Sequence, residues 1–175
     1  MAYGFNKKGF SILEVMISIT IISVGMVGLF SLIIQNSKIY STNKNKFIAV
    51  MLAQEGIELT RNIRDSNWLD PLNPAWDDNI NSGGADGTFV IDYAANPGHG
   101  VNEISGGLLY LDSNKRYTHT AAGNTATHFY RLITISTPAG CDIAGCFKVN
   151  SKVEWSERGK TYDFQIDVFL YDWRE

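Results

Sequence analysis

Proline is scarce, with four residues in 175, and none interrupts the stretch from Gln35 to Asp65. Cysteine is scarcer: Cys141 and Cys146 are the only two. That excludes a fold stapled by many disulfides. The formal net charge is −3, so no global excess of positive charge points to nucleic acid. Enzyme signatures are missing as well. There is no nucleophile-elbow serine, no HExxH, no phosphate-binding P-loop and no GxGxxG. No internal repeat or low-complexity stretch is present. At 175 residues the chain has room for one domain with a real core plus an appendage.

Charge is absent where it is most informative. Phe10 to Ile34 reads FSILEVMISITIISVGMVGLFSLII, and its only charged residue is Glu14. As a helix these 25 residues would extend about 37 Å, enough to cross a bilayer with some tilt. The run is too long for the apolar core of a secretory signal, and no small-residue cleavage site follows it. It is therefore expected to be retained, with the rest of the chain outside the cytoplasm. Lys7 and Lys8 on the short N-terminal side favour that orientation, although Lys38, Lys44 and Lys46 follow on the other. A charge at the centre of a membrane helix costs roughly 2.5–3.5 kcal/mol. A plain anchor has no use for Glu14.

Beyond the run, helical periodicity continues. Ile48, Leu52, Leu59 and Ile63, with Met51 beside them, form an apolar stripe. One continuous helix is expected from about Phe10 to about Asp65. Gly25 and Gly28 admit a close helix neighbour. Residues 66–87, with Pro71, Pro74 and several glycine turns, read as an ordered connecting loop held to the core by Trp68, Leu69, Leu72 and Trp76.

Strands are expected over 88–93, 107–112, 127–136, 147–155 and 162–170. The last two alternate cleanly: Phe147, Val149, Val153 and Trp155 share one face, as do Tyr162, Phe164, Ile166, Val168 and Leu170. The pattern is that of a one-sided antiparallel sheet, turning at Ser156-Glu157-Arg158-Gly159, with the amphipathic half of the helix as its lid. The fold class is α+β.

Charge divides along the chain. Gln35–Arg64 carries five Lys/Arg and two Asp/Glu, while Asp65 onward carries eight and fifteen, so the stalk is basic and the head acidic. Such an asymmetry lets neighbouring subunits attract one another, or simply marks solvated faces. Cys141 and Cys146 enclose a short turn; beyond an export segment a disulfide is expected there rather than free thiols or a metal pair. His99, His119 and His128 are scattered. His119 and His128 could meet across strands, but a zinc site needs a third ligand that no spacing supplies, so surface or strand-edge histidines are expected. Asp77, Asp78, Asn79, Asn81 and Asp86 lack an ordered calcium-loop pattern and read as a solvated turn. No metal, cofactor or catalytic residue is expected.

The stretch KKGFSILEVMISITIISVGMVGL, Lys7 to Leu29, resembles the N-terminus of type IV prepilins and type II secretion pseudopilins. That family has a basic leader ending in glycine, then phenylalanine, then an apolar helix with glutamate at its fifth position. Here these are Gly9, Phe10 and Glu14. SVGMVGL resembles the minor more than the major subunits, and AQEGIELTRNIRDSNWL, Ala53 to Leu69, also resembles prepilin-type proteins. Many pilins have a proline at the twenty-second position of the mature helix; here it is Ser31.

The resemblance implies a pilin-like layout: leader 1–9, transmembrane and assembly helix 10–34, its amphipathic continuation 35–65, connecting loop 66–87 and sheet head 88–175. It implies cleavage by a prepilin peptidase between Gly9 and Phe10, and N-methylation of Phe10. Glu14 would pair with the Phe10 amine of another subunit. The partners implied are other pilin or pseudopilin subunits, the prepilin peptidase and an inner-membrane assembly platform. The location implied is the inner membrane, single-pass with the head outside, and then a periplasmic or extracellular fibre. A DNA-uptake or adhesive tip subunit is an alternative, which the acidic head disfavours without excluding. A single-span membrane-anchored enzyme or sensor is another; it predicts an intact N-terminus and indifference to Glu14.

Overall fold

A computed structural model describes residues 9, 11–72, 75–80, 86–93, 100–138, 141 and 145–172. One helix, α1 (Ile12–Leu69), is followed by six strands: β1 (Gly87–Phe89), β2 (Leu108–Leu111), β3 (Tyr117–Thr118), β4 (Thr125–Ser136), β5 (Cys146–Glu157) and β6 (Lys160–Tyr171). All pairings are antiparallel. This is the expected α+β layout of a long N-terminal helix and a C-terminal sheet. The chain divides into two compact units, Met1–Asn43 and Lys44–Glu175.

In the first unit, the described side chains from Ile12 to Tyr40 are exposed. The helix is long and apolar enough to cross a membrane. Its hydroxyls do not compete with its backbone for outside partners. Ser18, Thr20 and Ser23 donate back to the carbonyls of Glu14, Met16 and Ile19 at 2.7–2.8 Å. Such back-bonding satisfies polar side chains inside an apolar environment.

The second unit is the head. Its strands run in the order β3-β2-β4-β5-β6, and β1 also pairs with β4. β1 and β2 occupy different stretches of β4: Thr88 lies opposite Thr134, and Leu108 opposite Tyr130. A register shift between Leu108 and Tyr110 bends β2 where Gly107 packs onto the Arg131 carbonyl, too close for any Cβ. The β5–β6 hairpin turns on two residues, Arg158 and Gly159, at φ 51° and 75°. Two successive positive φ values are the type I′ geometry that matches strand twist. The turn is therefore tighter than the four residues expected, and Ser156 and Glu157 belong to β5.

The helix ends at Leu69, four residues beyond the expected end at Asp65. Asn67 explains the extension. It is buried, and its side-chain amide donates to the carbonyls of Trp76 at 3.1 Å and Asp78 at 2.6 Å, binding the last turn to the loop that follows. Of the four residues expected to hold that loop, Trp68 is buried and Trp76 stacks on Phe147 at 4.8 Å, whereas Leu69 and Leu72 are exposed.

The helix face on the sheet shares Leu52 and Ile63 with the expected stripe but is shifted from it. It consists of Ala49, Leu52, Ala53, Gly56, Ile57, Thr60 and Ile63; Met51 is exposed, and Ile48 and Leu59 are half-buried. Small residues bring the helix axis close to β4 and β5. A Cβ on Gly56 would stand 2.6 Å from Ser151 Oγ and 2.7 Å from Ile133 Cδ1. Ser151 is a small residue in an inward row that is otherwise large, and it makes room for that approach.

The core has two clusters. One gathers Ile57, Ile63, Ile80, Phe89, Ile91, Ile133, Ile135, Phe147, Val149 and Leu170. The other gathers Ala49, Leu52, Ala53, Leu109, Phe129, Val153 and Trp155. On the inner face, Tyr117, Phe129, Trp155 and Tyr162 form successive ring contacts at 5.7–6.3 Å. Favourable aromatic pairs of this kind add about 0.5–1.5 kcal/mol each beyond area burial.

Candidate assembly helix and the polar network of the head

Two places in the chain carry polar chemistry in apolar surroundings. The first is the start of α1. Ser11 precedes the helix, and its carbonyl accepts from the Val15 amide at 3.2 Å. Glu14 lies in the first turn and is exposed, with no ion-pair partner among the described residues. A first-turn carboxylate faces the positive end of the helix dipole, which offsets part of the cost of its charge. Gly9 is exposed, and a Cβ placed on it would meet nothing within 4 Å. Phe10 lies outside the described residues, so the placement of its amine relative to Glu14 is not part of this geometry.

The second place is inside the head. Arg131 is 0 % exposed and points inward from β4 between Phe129 and Ile133. Its Nη1 donates to the Leu52 carbonyl at 3.1 Å and to Glu55 Oε2 at 3.0 Å, and its Nη2 donates to the Ile91 carbonyl at 2.5 Å. Nε has no hydrogen-bond partner. Burial pulls the arginine pKa down, and the Glu55 charge pulls it back. A guanidinium remains protonated under such pressure, so the charge must be answered in place.

Asp92 and His119 lie beside it. Asp92 is buried and accepts from Thr118 Oγ1 at 2.6 Å and the His119 amide at 3.1 Å. The His119 ring meets the Leu108 carbonyl through Nδ1 at 3.2 Å. A carbonyl only accepts, so Nδ1 carries the proton in this contact, and Nε2 is buried. Burial, then the Arg131 charge, lower the His119 pKa to about 4. His119 is half-buried directly after β3, the strand that ends the sheet order, so it is a strand-edge histidine as expected, with a ring turned toward the Leu108 carbonyl.

His128 is exposed, with its ring 4.3 Å from that of Phe129, and His99 lies outside the described residues. Among the described residues no group of three His, Cys, Asp or Glu side chains is placed to hold a metal ion. In the acidic stretch, Asp86 Oδ1 accepts from the Thr137 amide at 2.7 Å and ties the start of β1 to the end of β4. Asp78 Oδ1 accepts from the adjacent Asn79 amide at 3.1 Å. Asn81 lies outside the described residues.

Cys141 and Cys146 are joined in a disulfide, with Cα atoms 5.3 Å apart. Cys146 opens β5 opposite Tyr171, so the bridge closes the β4–β5 connection at the end of the sheet. Closing so short a loop contributes about 2 kcal/mol in the chain-entropy model.

The Arg131 network is the feature that strand periodicity alone does not disclose. Its signal is present nonetheless: an arginine two residues from a phenylalanine and two from an isoleucine occupies the inward phase of the strand. Its chemistry is structural. Most of its polar groups bond to one another or to backbone carbonyls.

Against known families, residues 4–30 match the model of the prokaryotic N-terminal methylation motif. No curated relative and no solved structure matched. The motif indicates prepilin-type processing and implies a prepilin peptidase and other pilins as partners. The exposed apolar helix fits membrane anchoring. Methylation motif, apolar N-terminal helix and C-terminal antiparallel sheet together form a pilin-like layout, and the motif supports a likeness to type IV prepilins and pseudopilins.

Proposed function

We propose that the chain is a minor pilin or pseudopilin, a structural subunit that waits in the inner membrane and enters a fibre through its N-terminal helix. A prepilin peptidase cuts between Gly9 and Phe10. Gly9 lets the backbone enter a tight site, because it presents no side chain. Methylation of the new Phe10 amine leaves it basic and cationic. An assembly platform in the inner membrane then draws subunits into a helical bundle.

The observation that carries this reading is Glu14. It is the only charged residue between Phe10 and Ile34, it falls five positions after Gly9, and no described residue answers it. The Phe10 amine of a neighbouring subunit supplies the missing cation. Pairing offsets the burial of both charges, whereas a buried pair that loses one member is destabilised by about 3–5 kcal/mol. Glu14 thereby sets the register in which a subunit enters the bundle. Ser31, in place of the proline of many major subunits, agrees with a minor role.

Replacing Glu14 with alanine in fibre-producing cells tests this. The variant should fold its head normally, accumulate in the membrane and fail to enter sheared fibres. Incorporation at the level of the unaltered chain would refute the pairing.

A further inference from the structure

β6 ends the sheet order, and among the described residues no strand pairs with its outer edge. Natural edges are usually blunted by proline, a bulge or an inward-pointing charge. β6 has none of these. It pairs with β5 over twelve residues in unbroken register, and between Tyr162 and Leu170 every inward residue is apolar. The sheet layer is also unfinished there. Phe147, Val149, Ser151, Val153 and Trp155, the inward residues of β5, are at most 3 % exposed. Tyr162 on β6 is 36 % exposed, and Phe164, Ile166 and Val168 are half-buried. A groove of about 330 Å³ separates Ile166 and Val168 from Gln54, Ile57, Glu58 and Arg61 of α1.

The hairpin determines which backbone groups are open. A type I′ turn makes Glu157 and Lys160 the first hydrogen-bonded pair. Alternation then sends the N–H and C=O groups of Thr161, Asp163, Gln165, Asp167 and Phe169 to the free edge.

Charge on the outward face selects the occupant. Asp167 is answered by Asn150 at 2.7 Å and Lys148 at 3.1 Å. Asp163 stands opposite Glu154, whose own cation is Lys152 at 3.6 Å, so β5 offers Asp163 a like charge. A second copy of β6 would not help. Its outward row is Thr161, Asp163, Gln165, Asp167, Phe169 and Tyr171, with no cation in any register.

We propose that the free edge of β6 accepts an extended segment of a different protein, apolar toward the groove beneath α1 and bearing lysine or arginine over Asp163. Backbone pairing supplies affinity and the alternating side chains supply selectivity. β5 already shows the pattern a β6 neighbour adopts, with Lys148 and Lys152 outward and Val149 and Val153 inward. The proposal does not depend on N-terminal processing or on Glu14.

The test uses the full chain in nonionic detergent micelles, with a blocked nonapeptide of alternating lysine and valine as the probe. Amide hydrogen exchange is read residue by residue. Exchange at Asp163, Gln165 and Asp167 should slow roughly tenfold at saturating peptide, with no change at the opposite edge, β3. An alternating glutamate–valine peptide should give no protection. Ile166→Lys, which points a charge into the groove, and Asp163→Lys, a surface change that leaves the core untouched, should each abolish it. Absence of slowing, equal slowing by the acidic peptide, or full protection in Asp163→Lys would overturn the proposal.

Discussion

Arg131 Nη1 donates to Glu55 Oε2 across 3.0 Å, and this ion pair joins the middle of β4 to the helix that covers it. The arginine side chain is fully buried, while that of glutamate is 36 % exposed. One partner therefore depends wholly on the other and on two carbonyls, those of Leu52 and Ile91. Helix, central strand and the segment after β1 meet at one guanidinium. The head is clamped there by direction-specific bonds between two apolar clusters that would otherwise tolerate sliding.

Removing the guanidinium should show this. Arg131→Ala leaves a cavity and unanswered acceptors, and should lower the unfolding free energy of the head by about 3–5 kcal/mol. Glu55→Gln keeps an acceptor oxygen at a partly solvated position and should cost about 1 kcal/mol. Denaturant unfolding of both variants, followed by tryptophan fluorescence, measures the difference. Equal losses would show that the ion pair, and not the carbonyl contacts, dominates.

His119 makes the head sensitive to acid. Its folded pKa of about 4 lies below the ordinary histidine value of 6.5. The unfolded chain therefore binds the proton more readily, and stability falls as pH drops from about 6.5 toward 4. Above 6.5 the histidine is neutral in both states and contributes no slope. His119→Gln cannot titrate, and should flatten that part of a melting-temperature profile. A profile unchanged in shape would remove His119 as the cause.

Gly56 controls how near the helix lies to the sheet. Gly56→Val should cost about 1–3 kcal/mol, because the new side chain meets Ser151 and Ile133 before they can move aside. Ser151→Ala should have the opposite sign. The Ser151 hydroxyl is buried without a hydrogen-bond partner, so its removal should be neutral or stabilising by up to about 1 kcal/mol. Thermal unfolding of each variant checks both signs.

The strands of the hairpin are legible in the amino-acid order, because Phe147 to Trp155 and Tyr162 to Leu170 alternate over enough residues to define a face. The helix is legible for the same reason of length. Its packing face is legible only in part: hydrophobic periodicity finds Leu52 and Ile63, but gives weight to Met51 and none to Gly56 or Thr60. Close packing, rather than hydrophobicity, decides that face. β3 has two residues, too few for any period, and with it the contact of the His119 ring with the Leu108 carbonyl escapes notice. Arg131 is obscured by the same reasoning that finds β4, because a charged residue in a strand is normally assigned to the solvent side. At the N-terminus the position is reversed: Gly9, Phe10 and Glu14 are conspicuous by spacing alone, and the fold adds little to them.

The central claim, a subunit processed at its leader and assembled through its helix, is tested most directly by mass spectrometry of the mature N-terminus from fibre-producing cells. The account predicts a terminal peptide that begins at N-methylated Phe10. A terminal peptide that begins at Met1 would contradict it.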